Sequence, residues 1–216
     1  MAGLRDLQKE KRREAIMAAA ANLFKIKGFD AASMEEIASL AELSVGTVYN
    51  YFKTKGDICL AIYRADRDLV LKATDKVIDA VKSGPPKDAI TAICKLMETD
   101  FETEVAFIDR GAWESLFAAA FTAQPSLAAA LVGDEFMRVG QFERLLAALQ
   151  AKGAVGRGAD IKSAAEFLGA LNLWYFVNWV VGLRTGTVAE GGRLLDGTAR
   201  KTLRRQVKQL VDGLKA

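Results

Sequence analysis

The chain has 216 residues, enough to bury a substantial core, and we read it as a small unit joined to a larger one. It is 51% apolar with 18 Gly and only 3 Pro, a make-up that favours helix over strand or disorder, and its net charge of +3 leaves any nucleic-acid binding to a local basic surface. Cys59 and Cys94 stand in no CxxC spacing and histidine is absent, which argues against a disulfide framework or a Cys/His zinc site; no metal or other cofactor is expected, and a reducing, cytoplasmic setting fits.

The first residues, "MAGLRDLQKEKRREAIM", are basic but hold no apolar run of the kind that directs export. From Arg12 to Lys27, Ile16, Ala19, Ala20, Leu23 and Phe24 recur at steps of three and four, one face of an amphipathic helix, and Gly28 ends it. Ser33 with Glu36 three residues on is a capping box for a shorter helix whose inward face is Ile37, Ala38 and Ala41. Ser44 caps a third helix with Val48 and Phe52 turned inward, and Thr54 with Asp57 caps a long fourth through Ile58, Ile62, Ala65 and Leu69. Helix, short helix, tight turn, short helix is the layout of a helix-turn-helix unit.

That layout gives a purpose to "SVGTVYNYF", residues 44–52. A helix lying in the major groove needs small or flat side chains near its start, with hydroxyls and amides that reach phosphates and base edges. Thr47, Tyr49 and Tyr51 can donate to phosphate oxygens, Asn50 can read a base edge, Val45 can meet a thymine methyl, and Gly46 permits close approach. Lys55 and the helix N-terminus add positive potential. The competing explanation is that Tyr49 and Tyr51 are ordinary half-buried aromatics, with Tyr51 able to share the core with Phe52.

Residues 12–63 resemble the DNA-binding domain of the tetracycline-repressor (TetR) family of bacterial transcriptional regulators, through "AANLFKIKGFDAAS", "EEIASLA" and above all "SVGTVYNYFKTK". The resemblance implies an all-α fold with a helix-turn-helix domain at 1–56 and a larger helical ligand-binding and dimerisation domain at 57–216. It implies a homodimer that places residues 45–51 of each subunit in the major groove of a palindromic operator. It also implies a DNA-binding surface of Ser44, Val45, Gly46, Thr47, Tyr49, Asn50, Tyr51 and Lys55, with phosphate contacts from Thr47, Tyr49, Tyr51 and Lys55 and base contacts from Val45, Gly46 and Asn50. Two positions depart from the family pattern. Glu42 stands where the turn often has glycine, at a cost of about 1 kcal/mol if φ is positive, and Val45 replaces a lysine, which weakens non-specific attraction to phosphate.

The resemblance fades after about residue 65. "SGPPK" at 83–87 breaks the fourth helix, and further helices are expected at about 87–106, 111–123, 126–151, 160–183 and 194–214. Trp113, Leu116, Phe117, Ala120 and Phe121 form a stripe that reads either as core or as one wall of an apolar cleft. For the cleft we take Trp113, Phe117, Phe121, Phe136, Trp174, Tyr175 and Asn178 as candidate ligand-binding residues for an apolar or aromatic small molecule of unknown identity. Residues 167–183 carry no charge but are too short for a bilayer core of roughly 20 residues, so no membrane contact is expected. Phe167, Leu171, Trp174 and Val181 lie near one face of that helix and Leu168, Tyr175 and Trp179 near another, so both faces ask for burial. The family resemblance supplies the second cover, a two-fold bundle of the last two long helices, about 160–183 and 194–214. The basic row Arg200, Lys201, Arg204, Arg205 and Lys208 reads as a solvated face of the final helix, not a second nucleic-acid patch.

The leading function is therefore a dimeric, one-component transcriptional repressor released by its ligand, which the resemblance implies acts by shifting the fourth helix, residues 56–82; a corepressor is the alternative sign. A helical enzyme has little support, since without histidine the Ser-His and Cys-His systems are absent and no GxxxxGK[ST] loop occurs. Glu98, Glu102, Glu104 and Asp109 read as a wet helix face before they read as acids or bases. A structural partner that keeps the fold without binding DNA is the third possibility.

Overall fold

The computed structural model describes residues 3–85, 88–107, 110–122, 125–182, 195 and 197–214. Every regular element among them is an α-helix: α1 (Leu4–Lys27), α2 (Met34–Leu40), α3 (Val45–Tyr51), α4 (Lys55–Ser83), α5 (Ala89–Phe107), α6 (Arg110–Thr122), α7 (Pro125–Ala151), α8 (Ile161–Val181) and α9 (Gly197–Gly213). The all-α expectation holds, and the later helices fall where the sequence periodicity puts them. The second proline of "SGPPK" and the join at 183–194 lie outside the described residues.

Local signals account for the boundaries at the N-terminal end. Ser33 and Glu36 form the reciprocal box at α2, with the Glu36 amide donating to Ser33 Oγ at 3.2 Å and the Ser33 amide donating to Glu36 Oε2 at 2.9 Å. Thr54 and Asp57 repeat it at α4, at 2.9 and 3.1 Å. Gly28, at φ 82°, closes α1 by donating its amide to the Phe24 carbonyl at 2.9 Å. One boundary differs from expectation: α1 begins at Leu4, well ahead of Arg12. The leading turns are built of good helix formers and capped by Asp6, whose carboxylate accepts the Gly3 amide, but they carry no apolar row for periodicity to detect.

Two compact units emerge. The first comprises Met1–Asp66 and Ile108–Leu131, and the second Arg67–Phe107 and Val132–Ala216. In the first, Ile16, Ala20, Phe24, Ile37, Val48, Phe52 and Ile58 make one core, and Trp113 of α6 is wholly buried with its ring edge-on to Tyr63 at 5.7 Å. In the second, α9 lays its buried row Ala199, Leu203, Val207 and Val211 on α5. Gly169 of α8 faces Val139 of α7 so closely that a Cβ there would stand 2.7 Å from the valine methyl, which brings the two backbones together at that crossing.

The turn between α2 and α3 holds the one described non-glycine residue with positive φ, Glu42 at 55°. The left-handed conformation brings the Leu43 amide back onto the Ala38 carbonyl at 2.9 Å and so sets the angle between the two helices. A Cβ is crowded in this region, at about 1–2 kcal/mol relative to glycine. Glu42→Gly is therefore expected to raise stability by up to about 1 kcal/mol, after the extra freedom of glycine in the unfolded chain is subtracted. The urea midpoint at unchanged slope reads this directly.

Candidate nucleic-acid interface

The short helix α3 is fixed at both ends and along one side. Ser44 Oγ accepts the Thr47 amide at 3.1 Å and lies 2.7 Å from the Thr47 hydroxyl, which anchors the first turn. Val48 and Phe52 are buried, so the opposite side of the helix is committed to the surface. There stand Gly46, Tyr49 and Asn50, all exposed, with Val45, Thr47 and Tyr51 half-buried beside them. A Cβ at Gly46 would meet no atom within 4 Å, so nothing inside the protein requires glycine there. What the missing side chain provides is room for a molecule approaching from outside. Ser44, Val45, Gly46, Thr47, Tyr49, Asn50 and Tyr51 thus form one continuous surface on and beside α3. Tyr51, half-buried, is the one whose ring is shared with the protein.

Lys55 is placed differently from the rest. Its ammonium donates to the carbonyls of Phe29, Ala32 and Asp30 at 2.8, 2.7 and 3.1 Å and sits 4.7 Å from the centre of the Phe29 ring. All three N–H donors of the ammonium are used within the protein. Lys55 ties the α1–α2 loop to the start of α4, and what it can offer a phosphate is the field of its charge, not a direct hydrogen bond. Lys53, in contrast, is exposed beside α3 and donates to the Tyr49 carbonyl at 2.9 Å. Arg13 of α1 lies over the ring of Phe52, the C-cap of α3, at 5.7 Å.

The candidate ligand residues fall in both units. In the first, Trp113 is buried, Phe117 half-buried and Phe121 exposed, in a row of ring contacts at 6.1 and 6.2 Å. In the second, Tyr175 is buried and donates its hydroxyl to Gln206 Oε1 at 2.8 Å, and burial pushes its pKa up to about 12. Asn178 is buried and donates to the Trp174 carbonyl at 2.6 Å, whereas Trp174 and Phe136 are exposed. Burial also raises the thiols of Cys59 and Cys94, to about 12 and about 11, which leaves both protonated and poorly nucleophilic at neutral pH.

Sequence reasoning missed a polar cluster inside the second unit. Asp100 of α5 is buried, pairs with Arg138 of α7 and accepts a hydrogen bond from Asn172 of α8 at 2.7 Å. Next to it Gln141 donates to Thr74 Oγ1 at 2.6 Å, and the Thr74 hydroxyl bonds to the Val70 carbonyl at 2.8 Å. Burial first, then the neighbouring Asp100 and Asp134, raises the Glu135 carboxyl above its ordinary range, against the pull of Arg138 and Arg67. A usable signal existed: Ile93, Met97 and Asp100 follow at i, i+4 and i+7, so the acid occupies a core register. The acids Glu98 and Glu102, read as a wet face, meet Arg200 of α9 at 3.8 and 2.9 Å, and Arg204 reaches Asp88 at 3.7 Å. The Glu104 side chain and Asp109 lie outside the described positions.

An all-helical chain with a helix-turn-helix layout at residues 34–51 and an open face on α3 has the architecture used by DNA-binding transcriptional regulators. Residues 16–62 match the family model of bacterial regulatory proteins, tetR family. Among solved structures it is similar to a transcriptional regulator of Rhodococcus sp. Rha1, at 20% identity over 94% of this chain and 98% of that one, with a TM-score of 0.67. It is also similar to FadR of Thermus thermophilus, a TetR-family transcriptional repressor in complex with lauroyl-CoA, at 20% identity, 94% coverage of each chain and a TM-score of 0.62. A third is a Saccharomonospora viridis protein in complex with choline, at 19% identity over 93% of this chain and 95% of that one, with a TM-score of 0.62. No curated protein sequence matches the chain. Among the described residues no helix is long and apolar enough to cross a membrane.

Proposed function

We propose that the protein is a dimeric, one-component transcriptional repressor that holds a palindromic operator and releases it when a small apolar or aromatic effector binds. The observation that carries the DNA half is the outward face of α3, where Gly46, Tyr49 and Asn50 stand open and Gly46 leaves space that nothing in the protein fills. In this reading Val45, Gly46 and Asn50 meet base edges, Ser44, Thr47, Tyr49 and Tyr51 hold phosphates, and Lys55 keeps the reader in place while adding its charge to the field. The functional division we propose is a reader at 1–56 and a sensor and dimerisation region at 57–216, and it differs from the compact units, of which the first also holds residues 57–66 and 108–131.

The dimer is supported by α8. Leu168, Tyr175 and Trp179 are buried within the protomer, while Phe167, Trp174 and Val181 are 52%, 42% and 59% exposed along one side. A second copy covers such a row isologously, and two-fold symmetry then sets the readers one DNA turn apart, about 34–36 Å. The outer side of α9, with Lys201, Arg205 and Gln209, supplies a polar rim to that contact. Two proteins of similar fold hold ligands as different as lauroyl-CoA and choline, which supports a sensor role for the larger region without choosing a ligand. Trp113 and Phe117, neighbours on α6, are the aromatic groups we propose for its walls. Such an effector must bind the DNA-incompetent form more tightly by a few kcal/mol to empty the operator.

The test is selection of genomic DNA fragments by the purified protein at a stated salt concentration. A recurrent palindrome that Asn50→Ala and Tyr49→Ala fail to enrich is the expected result. Enrichment unchanged by those substitutions would remove α3 as the reader.

A further inference from the structure

Residues 4–15 form the leading part of α1, about three turns and 18 Å long, ahead of the first buried residue, Ile16. Every residue among them is exposed except the half-buried Arg13, and even Leu4 and Leu7 are 74% and 53% open. A helix this short and this solvated gains nothing from packing.

Its charges are nevertheless sorted by face. Arg5, Lys9 and Arg12 follow at i, i+4 and i+7, and Ile16 and Ala20, both buried, continue the same row. Asp6, Glu10 and Glu14 follow at i, i+4 and i+8 on the neighbouring row. The cations therefore prolong the core-facing side of α1 past the edge of the core. Arg13, at the root of the extension, lies on the Phe52 ring, and Phe52 caps the C-terminal end of α3. The basic row thus leaves the domain beside the end of the recognition helix.

We infer that this extension is a second DNA-contacting element, a basic rail whose Arg5, Lys9 and Arg12 neutralise backbone phosphates flanking the groove that α3 enters. The inference rests on the DNA-binding reading of α3 and extends it. Phosphate is the ligand because the row lies outside α3, which in this reading occupies the groove, and its exposed cations are of the kind that neutralise the flanking backbone. It also makes up for Val45, which supplies no charge at the start of the reader.

The experiment is fluorescence anisotropy of a labelled random-sequence duplex titrated with the full-length protein across a salt series. The proteins compared are the wild type, Arg5→Gln/Lys9→Gln/Arg12→Gln, the charge-keeping Arg5→Lys/Arg12→Lys, and Asn50→Ala. Each lost phosphate contact lowers the slope of log K against log salt by about 0.9, so the triple variant should lose up to about 2.7 from the slope for each subunit on the duplex and bind at least on the order of 10²-fold more weakly near 0.1 M salt. The lysine variant should keep the wild-type slope, and circular dichroism should show all four folded. An unchanged slope and affinity in the triple variant, with the wild type bound, overturns the rail while leaving α3 as the reader. A wild type that binds neither this duplex nor any genomic fragment overturns both readings.

Discussion

Asp100→Ala is expected to destabilise the protein by about 3–5 kcal/mol, read as a fall in the urea midpoint. The carboxylate is the shared acceptor of Arg138 and Asn172, two groups brought to it by two other helices, and its side chain is only 5% exposed while that of Arg138 is 14% exposed. Removing it strands a guanidinium in a poorly solvated site and leaves the Asn172 amide without its acceptor. The pair is not thereby a large net gain over an apolar core, because each ion was desolvated to form it. That distinction is itself measurable: Asp100→Leu/Arg138→Met should lose less than the sum of the two single substitutions, and the size of the difference is the coupling. Glu135 lies 3.6 Å from the Arg138 Nε and can take over part of the pairing, which places the single Asp100 variant toward the lower end of the range. If Asp100→Ala unfolded at the wild-type midpoint, the cluster would have no structural weight.

Apart from the start of α1, the N-terminal third of the fold could be read from the sequence because the helix boundaries there are written in local chemistry. Ser33 with Glu36, Ser44 with Thr47 and Thr54 with Asp57 satisfy backbone donors within three residues, and such signals do not depend on what the rest of the chain does. The strain at Glu42 was anticipated through the family resemblance, which often has glycine at that turn position, and its φ of 55° bears this out. What escaped was long-range or aperiodic. The Lys55 ammonium binds carbonyls 23 to 26 residues away, a partnership no spacing rule encodes. Asp100, Arg138 and Asn172 come together only once α5, α7 and α8 have packed, although each sits at a core register of its own helix. Exposure was the other blind spot. The aromatic stripe of α6 looked uniform by periodicity, yet it runs from the buried Trp113 to the open Phe121.

The double substitution Phe167→Glu/Trp174→Glu should give a monomer at micromolar concentration by light scattering and a loss of operator affinity of 10²–10⁴-fold. Both positions are largely open, with the Trp174 ring edge-on to Tyr175 at 5.2 Å, while Leu168, Tyr175 and Trp179 on the other side of α8 are the residues buried in the protomer. The protomer should accordingly keep its helicity and thermal transition while the assembly fails. Carboxylates facing their two-fold mates across an apolar contact are desolvated and mutually repelled, and symmetry doubles the penalty at each position. The loss of affinity then follows from geometry alone. A dimer binds its second half-site intramolecularly, at an effective concentration set by the tether, whereas a monomer must find each half-site independently. Non-specific affinity should fall much less, because in the proposed reading each α3 and each basic α1 extension can still meet phosphate. A variant that remained dimeric would show that another surface joins the subunits, and the exposed row on α8 would need a different occupant.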